Sequence, residues 1–287
     1  MNWLAEIPRV AEMIWVKLES DPTPLKDGII LKMICGSFYL PKESESRSVL
    51  GEDAHFICAE KNTIGVVDGV GGWAKYGVDA REYARKLMEN SVMAVRNQHR
   101  KSGDVDVDPI RVLHEAYANT KNIDGTSTAC IVTLGDEGKT LHAVNVGDSG
   151  FMIFRENKYV YISPIRQSYF NCPLQLGKGS DDSPQSATEI KVRVLRPGDV
   201  IVLATDGLLD NVSPGEIEKL LEENNTINGS VEPEMLARII VERLALRNSE
   251  DARRLTPFAI AAHKAGVDHI GGKMDDITVI VGQILAP

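Results

Sequence analysis

Short turns separate several segments rich in β-branched residues, and this feature limits the folds open to the chain. The turns "GDEGK" (135–139) and "GDSG" (147–150) each leave only a few residues between candidate strands. Tight hairpins can join antiparallel strands, whereas parallel neighbours need a crossover of about a dozen residues. The sequence therefore predicts antiparallel sheets. The candidate strands are 54–60, 63–67, 127–134, 140–146, 150–155, 158–162, 188–195, 199–204 and 277–284.

Helix-start signals lie between groups of these strands. Asp79 and Glu82 form a capping pair, and Asp108-Pro109 combines an N-cap residue with a first-turn proline. Similar signals occur at Ser213-Pro214, and further helices are predicted after Pro233 and from Thr256-Pro257. The helices come in clusters and do not follow every strand, so the pattern indicates an α+β fold rather than a doubly wound parallel one.

The length of 287 residues and the 43% hydrophobic content suit a sizeable globular core. Residues 1–28 are interpreted as an N-terminal extension that ends in the breaker run "DPTPLKDG", and 29–287 as a single domain. A formal charge of −9 argues against a nucleic-acid partner, since phosphate contacts need clustered Lys and Arg. No apolar run reaches the length of about 18 residues that a membrane span needs, so no membrane partner is expected.

The cysteines are scattered without the short spacing of a zinc site. They are interpreted as reduced thiols of an intracellular protein. The acidic N-terminus resembles neither a secretory signal nor a transit peptide. We therefore expect a cytoplasmic protein, with the chloroplast or mitochondrion as the alternative. The cysteines are Cys35, Cys58, Cys130 and Cys172.

Acidic residues lie at the ends of four separate candidate strands. Glu52-Asp53 precedes strand 54–60, Asp68 follows strand 63–67, Asp206 follows strand 199–204, and Asp275-Asp276 precedes strand 277–284. Each could be a solvated turn. If the strands pack side by side, however, the carboxylates converge, repel and raise one another's pKa. Mg²⁺ or Mn²⁺ would resolve that conflict, because both ions favour oxygen ligands.

Glycines follow Asp68 directly, at Gly69, Gly71 and Gly72. A glycine after a strand makes a tight turn or lets another group approach the backbone closely. Next to a carboxylate cluster, the second interpretation is that metal, water and substrate come close to the chain here.

Six short motifs carry a resemblance to a known family. The sequence resembles the metal-dependent serine/threonine protein phosphatases of type 2C (the PPM family) from about residue 30 to the end, and most closely their compact plant and mitochondrial branch. The resemblance implies a four-layer αββα sandwich, with two antiparallel β-sheets flanked by helices. The motifs, in order, are "GEDA" (51–54), "VVDGVGG" (66–72), "GTSTA" (125–129), "NVGDSG" (145–150), "LATDGLLDN" (203–211) and "DDITV" (275–279).

The resemblance also implies a site with two Mg²⁺ or Mn²⁺ ions. Asp68 matches the aspartate that bridges both ions. The Gly69 carbonyl and Glu52 match ligands of one ion, and Asp206 and Asp275 match ligands of the other. Asp68, Asp206 and Asp275 are accordingly the expected catalytic residues.

Further matches are less direct. Asp53 matches a residue that holds metal-bound water, and Asp148, with Asp206, matches a ligand of a third, weaker metal. A turn-forming role for Asp148 before Ser149 is equally open. The family's phosphate-binding arginine falls at Ser48, so the neighbouring Arg47 is the candidate for substrate binding.

The implied activity is hydrolysis of phosphoserine and phosphothreonine in a phosphoprotein substrate, by attack of a water that bridges the metals. We expect a monomer. The alternative is a catalytically weak pseudophosphatase that acts as a phosphoprotein-binding scaffold. A haloacid-dehalogenase-like site at Asp68 is excluded, because it needs a second aspartate where Val70 stands.

Two further expectations concern the surroundings of the site. The segment 126–128 ("TST") is predicted to pack and hydrogen-bond beneath it. His55 lies on the same strand face as Asp53, so it could in principle point toward the site, but we expect it to pack elsewhere or meet solvent.

Overall fold

The computed structural model describes residues 12–18, 30–42, 50–98, 107–135, 138–228 and 232–286. The strands of this part of the chain are β1 (Glu12–Lys17), β2 (Lys32–Leu40), β3 (Ala54–Cys58), β4 (Thr63–Val67), β5 (Thr126–Ser127), β6 (Ala129–Gly135), β7 (Thr140–Val146), β8 (Gly150–Arg155), β9 (Lys158–Ile162), β10 (Gln167–Tyr169), β11 (Cys172–Pro173), β12 (Leu176–Gly177), β13 (Thr188–Arg193), β14 (Val200–Ala204) and β15 (Ile277–Leu285). The helices are α1 (Ala80–Asn97), α2 (Pro109–Ala118), α3 (Asp206–Leu209), α4 (Pro214–Asn228), α5 (Pro233–Ile240), α6 (Leu246–Glu250) and α7 (Pro257–Lys264).

Two large sheets form the centre of the molecule. One has the strand order β1-β13-β7-β6-β4-β3, and the other has the order β2-β15-β14-β8-β9. Every neighbouring pair in them is antiparallel except β1 and β13, which run parallel. The expected α+β fold with antiparallel sheets is confirmed.

Three apolar layers hold the sheets and helices together. The first lies between the six-stranded sheet and α1 and α2, where Leu87 and Ile131 are buried. The second lies between the two sheets and includes Ile64 and Ile201. The third lies between the five-stranded sheet and the C-terminal helices and includes Val202. Neighbouring residues of β14 thus face opposite layers, as the alternation of a strand requires. The result is the expected αββα sandwich.

The turn "GDSG" does not join paired strands. Its flanking strands β7 and β8 belong to different sheets, so the chain crosses here from one sheet to the other. The prediction of a hairpin at this turn was wrong, because turn length shows that two strands lie near each other but not that they pair. The other turn, 135–139, joins the antiparallel pair β6 and β7 as expected. The crossing places Asp148 between the ends of the two sheets.

Two strands of the large sheets, β1 and β2, were absent from the sequence prediction, as were the short strands β10, β11 and β12. In β2, Gly36 interrupts the pattern of side chains, and a Cβ there would lie 2.1 Å from the backbone nitrogen of Glu234. The glycine therefore lets α5 pack closely on the strand. The strand β1 lies within the predicted extension 1–28, and its pairing with β13 attaches it to the six-stranded sheet. The domain boundary at residue 28 stays a prediction. None of the helices in the described ranges is long and apolar enough to cross a bilayer.

Candidate metal centre

The predicted acidic residues meet at one end of the β-sandwich. Asp68 follows β4 and Asp53 precedes β3, and these two strands are antiparallel neighbours. Asp206 lies just beyond β14, whose last residue pairs with Val279 near the start of β15. Asp275 lies just before β15. The strand register thus brings both sheets' acidic ends to the same edge, as the sequence pattern predicted.

The tightest group in this region consists of Asp68, Asp148 and Asp206. One carboxylate oxygen from each lies within 4.8 Å of the others. Asp148 and Asp206 are buried, with 4% and 6% of their surface exposed. Three carboxylates this close, with little water around them, form a donor set suited to a hard divalent cation.

The backbone near Asp68 is fixed by residues of the "TST" segment. The Asp68 nitrogen donates to the Thr128 hydroxyl at 3.1 Å. The Thr128 nitrogen donates to the Asp68 carbonyl at 2.9 Å. The same hydroxyl lies 2.8 Å from that of Ser149, so it links the Asp68 turn to the Asp148 turn. Thr128 thus hydrogen-bonds beneath Asp68 as predicted, whereas the Ser127 hydroxyl has no hydrogen-bond partner among the described residues.

Asp148 has one engaged and one free carboxylate oxygen. Gln167 donates from Nε2 to Oδ2 at 2.8 Å. The buried Oδ1 has no hydrogen-bond partner among the residues that the structure describes. A buried carboxylate oxygen without a donor is costly, and a cation would satisfy it. The structure brings Asp148 into the cluster, and its ligand role stays a prediction.

Asp53 shows the same division of its oxygens. Its Oδ2 accepts hydrogen bonds from the hydroxyls of Thr205 at 2.8 Å and Thr278 at 2.7 Å. Its Oδ1 is buried and lacks a donor within the described chain. The two threonines therefore fix the orientation of Asp53 and leave one oxygen for a cation or for water.

Glu52 and Asp275 lie at the more open side of the site. The Glu52 nitrogen donates to Asp276 Oδ2 at 2.5 Å, and Asp276 also accepts from the Lys42 nitrogen at 2.7 Å. Asp275 Oδ1 lies 3.1 Å from Lys42 Nζ. Asp276 thus holds the Glu52 loop in place, while Asp275 pairs with the Lys42 ammonium. The candidate phosphate-binding residue Arg47 lies outside the described residues.

The electrostatics of the cluster match the predicted conflict. Burial, followed by the charges of Asp206, Asp53, Asp275 and Asp148, raises the pKa of Asp68 well above its ordinary value. Burial is also the main cause of the raised pKa of Asp206. Both carboxylates are therefore disfavoured in the charged form until a cation is present. The carboxylate donors and the two unpartnered buried oxygens fit a divalent-metal site.

Comparisons with known proteins identify relatives of this chain. The profile of the family "Stage II sporulation protein E (SpoIIE)" matches residues 86–255. The "Protein phosphatase PTC7 homolog fig" of Drosophila virilis is 37% identical over 257 residues, which cover 83% of this chain and 79% of that protein. The chain belongs to the protein phosphatase 2C family.

Other members of the protein phosphatase 2C family extend the comparison. The "Probable protein phosphatase 2C 55" of Arabidopsis thaliana is 44% identical over 256 residues, or 89% of this chain. The chain spans about half the length of that relative (52%). The X-ray structure of the photosystem II phosphatase PBCP superposes with a TM-score of 0.77 at 28% identity, over 88% of this chain and 98% of that one.

Sequence reasoning missed two lysines at this candidate site, Lys42 and Lys273. Lys273 Nζ contacts Asp206 Oδ2, and it lies 2.9 Å from Asp210 Oδ2 and 3.3 Å from Asp275 Oδ2. Burial opposes the charged form, but these carboxylates outweigh it and raise the pKa of Lys273. The contact between Lys273 and Asp275 could have been predicted from the sequence, because residues two apart in an extended segment share a face.

Two of the glycines after Asp68 let other protein groups approach the backbone closely. A Cβ on Gly69 would lie 2.8 Å from the Glu52 carbonyl and 2.9 Å from that of Ala80. A Cβ on Gly71 would lie 2.5 Å from the Glu52 carboxylate. Gly69 and Gly71 therefore let protein groups pack closely, and the approach of metal, water and substrate to this turn stays a prediction.

Gly69→Ala is therefore expected to destabilise the fold by about 1–3 kcal/mol, because two backbone carbonyls must move. Gly72→Ala is the matched control, since its Cβ would meet only Val70 Cγ1 at 4.0 Å. Urea unfolding in the presence of chelator measures both variants without any contribution from metal. Equal free energies of unfolding for the two variants would contradict the packing role of Gly69.

Proposed function

We propose that this protein is a metal-dependent protein serine/threonine phosphatase. Its substrates would be phosphoserine and phosphothreonine residues of a phosphoprotein, and its cofactor would be two Mg²⁺ or Mn²⁺ ions. The observation that carries the proposal is the close group of Asp68, Asp148 and Asp206 at the end of the sandwich, in which Asp68 is half-buried and the other two are buried. Membership of the protein phosphatase 2C family supports the same reaction.

The residues that would hold the metal ions are Asp68, Asp206 and Asp275, with Glu52 and the Gly69 carbonyl on the second side. When bound, the ions would activate water and neutralise charge on the phosphoryl group. Asp148 and Asp206 line the position of the weaker third ion that the family resemblance implies, and Asp53 would orient water through its free Oδ1.

The chain's own groups prepare this site in two ways. Thr205 and Thr278 orient the Asp53 carboxylate, and Thr128 fixes the Asp68 backbone. Groups held in this way need little reorganisation during the reaction, which is the basis of electrostatic preorganisation. The chain therefore contributes fixed positions for these groups more than a reactive side chain.

A cleft of about 450 Å³ opens beside Glu52 and offers a place for the substrate. Leu50 and Val78 give its walls apolar surface, and the cations Lys42 and Arg81 line it together with the carboxylates of Glu52, Asp79 and Asp276. Arg81 pairs with Asp79 at 2.7 Å, so a phosphoryl group entering this cleft would depend on bound metal ions to neutralise its charge.

The decisive assay measures phosphate release from a phosphothreonine peptide. Release should require Mn²⁺ or Mg²⁺ and should stop when a chelator is added. Binding of the peptide without turnover, at metal concentrations that saturate the site, would contradict the proposal and favour the pseudophosphatase scaffold.

His55 is expected to have no part in the reaction. Its Nε2 lies 3.0 Å from the Ser37 hydroxyl, and burial lowers its pKa below the ordinary value. General-acid help is worth about 100-fold or more, so its loss would be easily seen. His55→Ala should change kcat less than about tenfold on both a phosphothreonine peptide and p-nitrophenyl phosphate. A fall of about 100-fold on the peptide alone would make His55 the acid.

Compartment and assembly stay predictions from the sequence. These are a cytoplasmic monomer, with the chloroplast or mitochondrion as the alternative location. Size-exclusion chromatography with light scattering tests whether the protein is a monomer. Localisation of a tagged full-length protein tests the compartment.

A further inference from the structure

The ammonium group of Lys273 lies within the acidic end of the sandwich. It contacts the carboxylates of Asp206, Asp210 and Asp275, and only 18% of the Lys273 side chain is exposed. Three carboxylates around one cation is the arrangement expected of a metal site. Here a side chain of the protein already supplies the charge.

Lys273 is held from its backbone. Its nitrogen donates to Asn211 Oδ1 at 2.9 Å, and its carbonyl accepts from Asn211 Nδ2 at 2.8 Å. Asn211 is fully buried and also donates to the Gly207 carbonyl at 2.9 Å. These bonds tie Lys273 to the segment that carries Asp206 and Asp210.

Close packing on both sides of Lys273 limits its movement further. The ammonium lies 5.4 Å from the ring centroid of Phe258. A Cβ on the preceding Gly272 would lie 2.1 Å from the Asn248 carbonyl. The backbone of the segment therefore has little room to move, and the ammonium is held by its contacts with the three carboxylates.

Asp206 is shared between two cation positions. On one side it faces Asp68 and Asp148, whose oxygens form an all-carboxylate group with it. On the other side its Oδ2 contacts Lys273. Two cations that share one carboxylate repel strongly at low dielectric, so a fixed ammonium on one side disfavours an additional divalent ion nearby.

Building on the proposed function, we infer that Lys273 is a positioning residue that replaces one divalent ion at the Asp206–Asp210 side of the site. The protein then binds two metal ions and not a third. In the metal-free state the ammonium also holds Asp206 and Asp275 apart, because each binds the lysine instead of repelling the other.

The test counts bound Mn²⁺ by equilibrium dialysis and metal analysis at millimolar Mn²⁺. Wild type should bind two ions per chain, and both Lys273→Met and Lys273→Gln should bind three. The matched control is Lys42→Met, which removes the other ammonium in contact with Asp275. The Lys42 side chain is more exposed than that of Lys273, with 40% of its surface accessible. This control should bind two ions.

The melting temperature gives a second readout that does not depend on activity. In chelator, Lys273→Met should melt about 5 °C or more below wild type, because buried carboxylates lose their counter-charge. Added Mn²⁺ should raise its melting temperature by more than it raises that of wild type. A Lys273→Met protein that folds only in the presence of Mn²⁺ would also support the inference, because the ion would then supply the charge that the lysine had supplied.

Two outcomes would overturn the inference. One is a count of three Mn²⁺ in wild type, and the other is a count of two in both Lys273 variants. In either case the phosphatase proposal stands. A count of zero in wild type would instead remove the metal-dependent function itself.

Discussion

Asp68→Asn is expected to lower kcat for phosphothreonine peptides by at least about 100-fold at saturating Mn²⁺, a loss of about 2.7 kcal/mol of transition-state stabilisation. Asp68 lies at the centre of the cluster, with oxygens of Asp148 and Asp206 within 4.8 Å of its own. A neutral amide cannot supply the charge of a carboxylate that two cations share. Initial rates over a Mn²⁺ titration measure the effect.

The fold should survive this substitution. Burial and neighbouring charges raise the pKa of Asp68, so the ionised group destabilises the metal-free protein and a neutral amide removes that repulsion. In chelator, Asp68→Asn should therefore melt at or above the wild-type temperature. Asp108→Asn is the matched control, because Asp108 caps α2 and asparagine caps a helix about equally well. If Asp68→Asn keeps a tenth or more of wild-type kcat, Asp68 is not central to the reaction.

Divalent metal is expected to stabilise the folded protein. A ligand at 100 times its Kd adds about 2.7 kcal/mol, which corresponds to a rise in Tm of about 5 °C or more in a chain of this size. The physical reason is the group of buried carboxylates, whose repulsion a cation removes. Thermal unfolding of metal-free protein, with and without Mn²⁺, measures the shift.

The metal-induced shift should be smaller in Asp206→Asn, because Asp206 belongs to the cluster. Asp124→Asn is the control, since Asp124 is 64% exposed and pairs with Lys178. It should keep the full wild-type shift. A melting temperature that responds equally to Mn²⁺ in wild type and in Asp206→Asn would show that the ion binds elsewhere.

The location of the site could be predicted from the sequence because strand geometry determines it. An acidic residue directly before or after an apolar strand must lie near one end of that strand, as Asp53 and Asp68 do. In an antiparallel pair the end of one strand meets the start of the next. The strand boundaries therefore place these carboxylates together before any side-chain position is known.

The contacts made across the fold could not be predicted in the same way. Nothing local to "GDSG" shows that β7 and β8 lie in different sheets, since this depends on how the two sheets stack. Gly69 is surrounded by carbonyls of Glu52 and Ala80, whose approach follows from tertiary packing. Lys273 meets Asp206 and Asp210, which are more than 60 residues away. The pairing of Lys273 with Asp275 could be predicted, because residues two apart in an extended segment lie on the same face.

The most direct test of the metal centre is an anomalous difference map from crystals grown with Mn²⁺, collected at the manganese absorption edge. The account predicts strong peaks within coordination distance of the carboxylates of Asp68 and Asp206. The same crystals, dissolved, should release phosphate from a phosphothreonine peptide. Active protein whose manganese peaks lie away from these two residues would contradict the account.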